Sequence, residues 1–124
     1  MQLQQTLKKC YSFEGKGLHT GRVAKMTIKP APADTGIRFR RTDIGEDAYV
    51  PALAENVSST ARSTTISCGE ASVTTIEHIL SALTGMGVDN ALIDIDNVEV
   101  PILDGSAKPY IDAIWHDGFE TQDS

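Results

Sequence analysis

A glutamate and a histidine stand side by side in the segment TTIEHILSALTG, residues 74–85. Glu77 could act as a general base, because a carboxylate can accept a proton from a water molecule during hydrolysis. His78 could bind a metal ion through a ring nitrogen, as histidine does in many catalytic zinc sites. The pair therefore has the residue types of metal-assisted hydrolysis.

The same glutamate also fits a structural role. Thr74 is a good helix N-cap and Glu77 follows three residues later, which is the spacing of a capping box. A buried helical stripe is predicted by the apolar residues Ile76, Ile79, Leu80, Leu83 and Met86. A capping glutamate needs no chemistry, so both interpretations of Glu77 stand.

His78 lies almost opposite this stripe, because successive helical residues are about 100° apart. Its face carries Ser81, Ala82 and Gly85, whereas a solvated helix face usually carries charged residues. Small residues allow another backbone to approach closely. The pattern therefore predicts that a second helical layer, a partner chain or a segment outside this sequence covers His78, although a surface histidine fits as well.

The other potential ligands do not complete a metal site. A catalytic zinc ion needs about three protein ligands. His19 lies in a glycine-rich corner, and His116 is expected at the surface near the end of a second helix. There is no HExxH or HxxxD motif, and Cys10 and Cys68 are expected to be separate reduced thiols.

Alternating apolar residues predict strands in LKKCYSFEG, VAKMTIKP, GIRFRRT and NALIDIDN. The middle two are expected to form a hairpin around the turn-rich PAPADTG. A second helix is predicted in SAKPYIDAIWHDG, with Ser106 as its cap and Gly118 at its end. The sum is an α+β fold with a mainly antiparallel sheet and two helices on one face. We expect residues 1–120 to form a single domain and residues 121–124 to fray.

The net charge of −6 argues against non-specific nucleic-acid binding. The exception is RFRRT, where Arg38 and Arg40 share one strand face that is either solvated or an anion site. No apolar run is long enough to span a membrane, and the start of the chain lacks the apolar stretch of a signal peptide. These features predict a cytoplasmic protein without a transmembrane segment.

Four ordered segments carry a resemblance that extends over nearly the whole chain: GKGLHTG, PAPADTGIRFRRTD, TTIEHILSALTGMGVDNALIDID and VEVPILDGSAKPYI. Together they resemble the N-terminal half of the zinc-dependent UDP-3-O-acyl-N-acetylglucosamine deacetylases of lipid A biosynthesis in Gram-negative bacteria. The resemblance implies one half of a two-domain β-α-α-β sandwich, in which the helical layers pack together around the active site.

The resemblance also implies roles for individual residues. His78 matches one zinc ligand and Glu77 matches the general base. Leu18 and His19 match a corner that lines the metal pocket, and a loop bordering the pocket is matched by Ala61, Arg62 and Ser63. Asp104 matches an aspartate near the site, although a turn residue before the second helix fits equally well.

The family's other zinc ligands, its general acid and most substrate contacts belong to the C-terminal half. This half is absent here and is the expected partner, so the zinc site of the chain alone is expected to be incomplete and the chain inactive. The expected reaction removes the N-acetyl group of UDP-3-O-acyl-N-acetylglucosamine. Two alternatives stay open: a non-catalytic binding or structural domain, and a homodimer that imitates the two-domain sandwich.

Overall fold

The computed structural model describes residues 2–123, which fold into strands and short helices. The strands are β1 Gln5–Leu7, β2 Tyr11–Lys16, β3 Val23–Pro30, β4 Ile37–Arg41, β5 Tyr49–Pro51, β6 Val57–Ser59, β7 Thr65–Cys68, β8 Ala71–Thr74, β9 Ala91–Ile95 and β10 Phe119–Thr121. The helices are α1 Glu77–Gly85 and α2 Lys108–Ile114, with 3₁₀ turns at Ala54–Asn56 and Trp115–Asp117. None of the helices in this described part is long and apolar enough to cross a membrane.

The main sheet has five strands in the order β2-β3-β9-β4-β5. All neighbours are antiparallel except β4 and β9, which are parallel. Strands β6, β7 and β8 form a second antiparallel sheet, and β1 pairs with β10. The predicted α+β fold with a mainly antiparallel sheet is confirmed.

The predicted hairpin between β3 and β4 is wrong, because β9 lies between these two strands. Ala91, Ile93 and Ile95 are fully buried, so the central position removes the most apolar surface of β9 from water. The buried Asn90 fixes this arrangement: its Oδ1 accepts a hydrogen bond from the Gly36 N–H at 2.8 Å. This bond joins the β3–β4 loop to the start of the inserted strand.

The core is one cluster to which the main sheet, the second sheet and the two helices all contribute. Its largest fully buried side chains include Met26, Ile28, Phe39, Ile79, Leu83, Ile93, Tyr110 and Ile114. Ala82 also belongs to this core and is 1% exposed, whereas Ser81 and Gly85 lie at the surface. The face predicted to await a further layer is therefore narrower than the sequence indicated.

The predicted fraying of residues 121–124 is wrong for Thr121 and Gln122. Thr121 ends β10, which pairs with β1 near the start of the chain. The Gln122 side chain donates to the Ala31 carbonyl and accepts from Asn90 Nδ2, at 2.8 and 2.7 Å. Residue 124 lies outside the described residues. These long-range contacts hold a segment whose polar composition alone is typical of a loose end.

Arg40 on β4 binds a carboxylate within the chain. Its guanidinium donates two hydrogen bonds to Asp94, at 2.7 and 2.8 Å, and Lys29 lies 2.7 Å from the same carboxylate. Burial raises the pKa of Asp94, but the bonds from Arg40 and Lys29 outweigh burial and lower it below its usual value. Arg40 is therefore already paired with a carboxylate of the chain, which argues against an anion site at this residue.

We expect Asp94→Asn to lower the free energy of unfolding by about 2 kcal/mol at pH 7, because Arg40 loses its carboxylate. The folded-state pKa of Asp94 is depressed, so its contribution is fully present above the unfolded pKa of about 3.9 and is lost as the pH falls through the folded pKa. Urea unfolding of both proteins at pH 7 and at pH 3 measures this difference. Equal acid-induced losses in wild type and variant would contradict the prediction.

Candidate active site

Glu77 is the first residue of α1, so it does not stand at the third helical position that a capping box requires. The predicted capping box is wrong: the N-cap residue is Ile76, and no side chain caps the helix. Thr74 cannot act as the cap because it ends β8, where its N–H donates to the Val98 carbonyl at 2.8 Å. Thr75, with a φ of 61°, turns the chain from this strand into the helix.

The Glu77 carboxylate is held by the loop that precedes β7. Its Oε2 accepts a hydrogen bond from the Thr64 N–H at 2.7 Å. Partial burial raises the pKa of Glu77, but hydrogen bonds from the Thr64 N–H, its own N–H and the Thr64 side chain outweigh burial, so the pKa lies below its usual value. Glu77 is therefore ionised at neutral pH and able to accept a proton.

His78 is half-buried on the helix next to Glu77. Within residues 2–123, its imidazole has no hydrogen-bond partner, so both ring nitrogens are available to a ligand. Ser81 follows one turn later and is exposed. The outer side of α1 thus presents an imidazole and small side chains rather than a charged surface.

A depression of about 260 Å³ lies beside the glycine-rich corner. Its lining residues are His19, Ser59, Ala61, Arg62, Ser63, Thr65 and Thr74. The structure thus brings His19 together with all three predicted residues of the 61–63 loop. Leu18 does not line this depression, and its apolar side chain is 59% exposed.

Hydrogen bonds connect the 61–63 loop to the start of α1. Ser63 Oγ lies 3.1 Å from Thr74 Oγ1 and 3.2 Å from Thr75 Oγ1. The next residue, Thr64, donates to Glu77. The loop that borders the depression and the carboxylate on α1 are therefore held in a defined relation.

Asp104 lies in a turn before α2 and does not line the depression. Its Oδ1 accepts hydrogen bonds from the N–H and hydroxyl of Ser106, at 2.9 and 2.7 Å. Ser106 was predicted to cap α2, but the N-cap is Ala107, although Ser106 Oγ accepts from the Lys108 N–H at 3.2 Å. These contacts favour the turn interpretation of Asp104.

The donor set of a metal site is not complete in this part of the chain. Among residues 2–123, no three His, Cys, Asp or Glu side chains come together in a way that could hold a metal ion. His78 fits the role of a single ligand because its ring nitrogens are available. Any zinc ion bound here would need further ligands from outside the described residues.

Glu99 is a fully buried carboxylate that was not among the residues predicted from the sequence. It accepts hydrogen bonds from the N–H groups of His19 and Thr20 and from Thr75 Oγ1. The available signal was a charged residue within the apolar run VEVPIL, which predicts a satisfied buried carboxylate. The run itself could not identify the hydrogen-bond donors, which lie far away in the sequence.

A glutamate held by the Thr64 N–H lies beside a histidine at the start of α1, and hydrolytic sites use these residue types. The family model described as LpxC, UDP-3-O-acyl N-acetylglycosamine deacetylase, matches residues 4–124, and the chain belongs to this family.

Two relatives agree with this assignment. The chain is 48% identical over 121 residues to the UDP-3-O-acyl-N-acetylglucosamine deacetylase of Pseudomonas entomophila. The aligned region covers 98% of the chain and 40% of the relative. The chain is also 48% identical over 124 residues to the bifunctional enzyme LpxC/FabZ of Porphyromonas gingivalis. This aligned region covers 100% of the chain and 27% of the relative. The chain thus spans less than half the length of these relatives.

Proposed function

We propose that this chain is the N-terminal half of a zinc-dependent deacetylase that hydrolyses the N-acetyl group of UDP-3-O-acyl-N-acetylglucosamine in lipid A biosynthesis. Family membership supports the reaction class. The single observation that carries the proposal is Glu77, ionised and held by the Thr64 N–H next to the available His78 imidazole. We also propose a cytoplasmic location.

In this proposal His78 supplies one ligand, and the remaining ligands come from the family's C-terminal half. A bound zinc ion supplies Lewis acidity toward the amide carbonyl. Glu77 accepts a proton from the water that attacks the carbonyl carbon. The C–N bond then breaks, the amine takes up a proton, and acetate is released.

The pocket residues have a positioning role in this proposal. Leu18, His19 and the 61–63 loop form one wall of the substrate pocket, and the C-terminal half forms the other. Leu18, with its exposed apolar side chain, is suited to contact the acyl chain. Asp104 supports the turn into α2 rather than contacting substrate.

We use the term two-domain enzyme for this chain followed by the family's C-terminal half. We expect the two-domain enzyme to release acetate from UDP-3-O-acyl-N-acetylglucosamine, and the chain alone to release none because its ligand set is incomplete. Acetate release, measured before and after a chelator removes the metal, tests the proposal. Failure of the metal-loaded two-domain enzyme would favour a non-catalytic binding or structural domain, and activity of the chain alone would favour the homodimer.

The C-terminal half is also proposed to cover the outer faces of α1 and α2. Support comes from the exposed small residue Ser81 and from the exposed apolar side chains of Ile111 and Trp115, which are 36% and 56% exposed. An interface here would remove these apolar side chains from water.

Ser81→Arg is expected to show whether the C-terminal half covers this face of α1. In the chain alone, its effect on the free energy of unfolding should stay within about 0.5 kcal/mol, because Ser81 is exposed. In the two-domain enzyme, the same change should cost about 1–3 kcal/mol, because the arginine must fit between packed helices. Urea unfolding of both proteins measures the difference. Equal small effects in the two proteins would show that nothing covers this face.

A further inference from the structure

Glu99 is a buried carboxylate that pairs with hydrogen-bond donors instead of a cation. It is 1% exposed. His19 N–H donates to both carboxylate oxygens, at 3.0 and 3.1 Å, Thr20 N–H donates at 2.8 Å, and Thr75 Oγ1 donates at 2.7 Å. A buried charge is tolerated only when such bonds satisfy it. The three donors therefore compensate for the loss of water around Glu99.

The same bonds decide the charge of Glu99. Burial raises its pKa, but the bonds from Thr75, Thr20 and His19 outweigh burial, and the pKa lies below its usual value. A carboxylate accepts from all three donor groups, whereas a protonated carboxyl group could keep these contacts only by donating to Thr75 Oγ1. The lowered pKa therefore favours a carboxylate anion at this position.

The glycine-rich corner is shaped to approach this anion. A Cβ atom at Gly17 would overlap Glu99 Oε1 and would lie 2.8 Å from Thr20 Oγ1. Only glycine therefore allows the backbone of residues 17–20 to pass directly over the carboxylate. His19, which lines the depression, is fixed through its own backbone N–H.

Glu99 also holds the turn that leads into α1. Thr75 has a φ of 61°, which is uncommon for a β-branched residue. Its side chain donates to Glu99, and its N–H donates to the Thr64 carbonyl at 3.0 Å. The proposed base Glu77 follows two residues later. The carboxylate of Glu99 thus restrains the unusual backbone conformation that sets where α1 begins.

A series of hydrogen-bonded hydroxyl groups connects Glu99 to the 61–63 loop. Thr75 has a single hydroxyl proton, which goes to Glu99, so Ser63 must donate in its 3.2 Å contact with Thr75. The Ser63 proton is then used, so Thr74 must donate in its 3.1 Å contact with Ser63. Thr65 Oγ1 donates to Thr74 Oγ1 at 2.8 Å. Each hydroxyl group in this series therefore donates to the next one toward Glu99.

We infer that Glu99 is the positioning residue of the candidate active site. Its carboxylate fixes His19, the 61–63 loop and the start of α1 relative to one another. Its consequence for catalysis rests on the proposed function. Its consequence for the backbone does not, so the two can be tested separately.

The first test is NMR spectroscopy of the chain, comparing Glu99→Gln with wild type. Glutamine keeps the size of the side chain but replaces one acceptor oxygen with a donor group. We expect the His19 and Thr20 amide signals to move upfield and their protection from hydrogen exchange to fall about tenfold or more. Unchanged signals and protection at both amides would overturn the inference.

Asp94→Asn is the matched control for this measurement. Asp94 is also a buried carboxylate, but its partners Arg40 and Lys29 are not part of the Glu99 network. It should destabilise the chain without selectively changing the His19 and Thr20 amides. If both variants change these amides alike, Glu99 contributes only general stability and the inference fails.

The second test uses the two-domain enzyme. A misplaced site should lower kcat about 10- to 100-fold for Glu99→Gln, while KM stays within about threefold and Asp94→Asn retains a kcat near that of wild type. A kcat within about threefold of wild type for Glu99→Gln would overturn the catalytic role. A wild-type enzyme without deacetylase activity would overturn the proposed function. The amide signals would still decide whether Glu99 positions the backbone of His19 and Thr20.

Thr75 provides a second variant pair if Glu99→Gln does not fold. Thr75→Val keeps the branched shape and removes the donor, whereas Thr75→Ser keeps the donor. We expect serine to restore most of the kcat that valine loses. Equal kcat values for the valine and serine variants would overturn the inference, because the hydroxyl bond to Glu99 would then have no effect on the site.

Discussion

Glu77→Gln is expected to lower the kcat of the two-domain enzyme by about 100- to 10,000-fold. Glutamine can still accept the hydrogen bond from the Thr64 N–H, so the start of α1 keeps its position. It cannot take a proton from water, which is the step assigned to Glu77. Acetate release under saturating substrate measures the change, and KM should change little because the pocket residues are untouched.

Glu70→Gln is the control for this substitution. Glu70 is an exposed glutamate between β7 and β8, and it does not line the depression. The same chemical change there should leave kcat unaltered. If Glu77→Gln retains more than about a tenth of the wild-type kcat while its unfolding curve is normal, Glu77 is not the general base.

His78→Ala is expected to have the second large effect, on zinc affinity. In the two-domain enzyme, loss of one of about three ligands should weaken zinc binding at least about 100-fold. The chain alone should bind zinc no tighter than about micromolar, with or without His78, because its ligand set is incomplete. Calorimetry on metal-free proteins measures both affinities and the number of ions bound.

His116→Ala serves as the matched control, because His116 is exposed near the end of α2. Removing this imidazole should leave the tight zinc affinity of the two-domain enzyme intact. Tight binding by the chain alone at one ion per two chains, lost in His78→Ala, would show that two copies assemble a site. That result would favour the homodimer and would make acetate release by the chain worth measuring.

The fold illustrates where periodicity is informative. The alternation in VAKMTIKP and the stripe Ile79, Leu80 and Leu83 predict the strand and helix that the structure has at these positions. Periodicity describes which side of an element faces the core, but not which strand lies next to which. The insertion of β9 between β3 and β4 depends on contacts between distant segments, such as Asn90 with Gly36.

The site illustrates the same limit for chemistry. The adjacency of Glu77 and His78 is a property of the sequence, and so is the scarcity of further ligands. Whether Glu77 caps its helix depends on what Thr74 does elsewhere. In the structure the Thr74 N–H donates to the Val98 carbonyl, and no side chain caps the start of α1.

The sequence by itself determined the fold class, the proposed Glu77–His78 pair and, through four ordered segments, the resemblance to a deacetylase family. These features are local in the chain or depend only on the order of residue types. The tertiary structure alone decided how the glycine corner, the Ser63 loop and α1 come together. Glu99 bonds directly to the glycine corner and to Thr75, which contacts Ser63 and precedes α1. Glu99 lies 80 residues away from His19 in the sequence, and a buried carboxylate finds its donors only when the chain is folded.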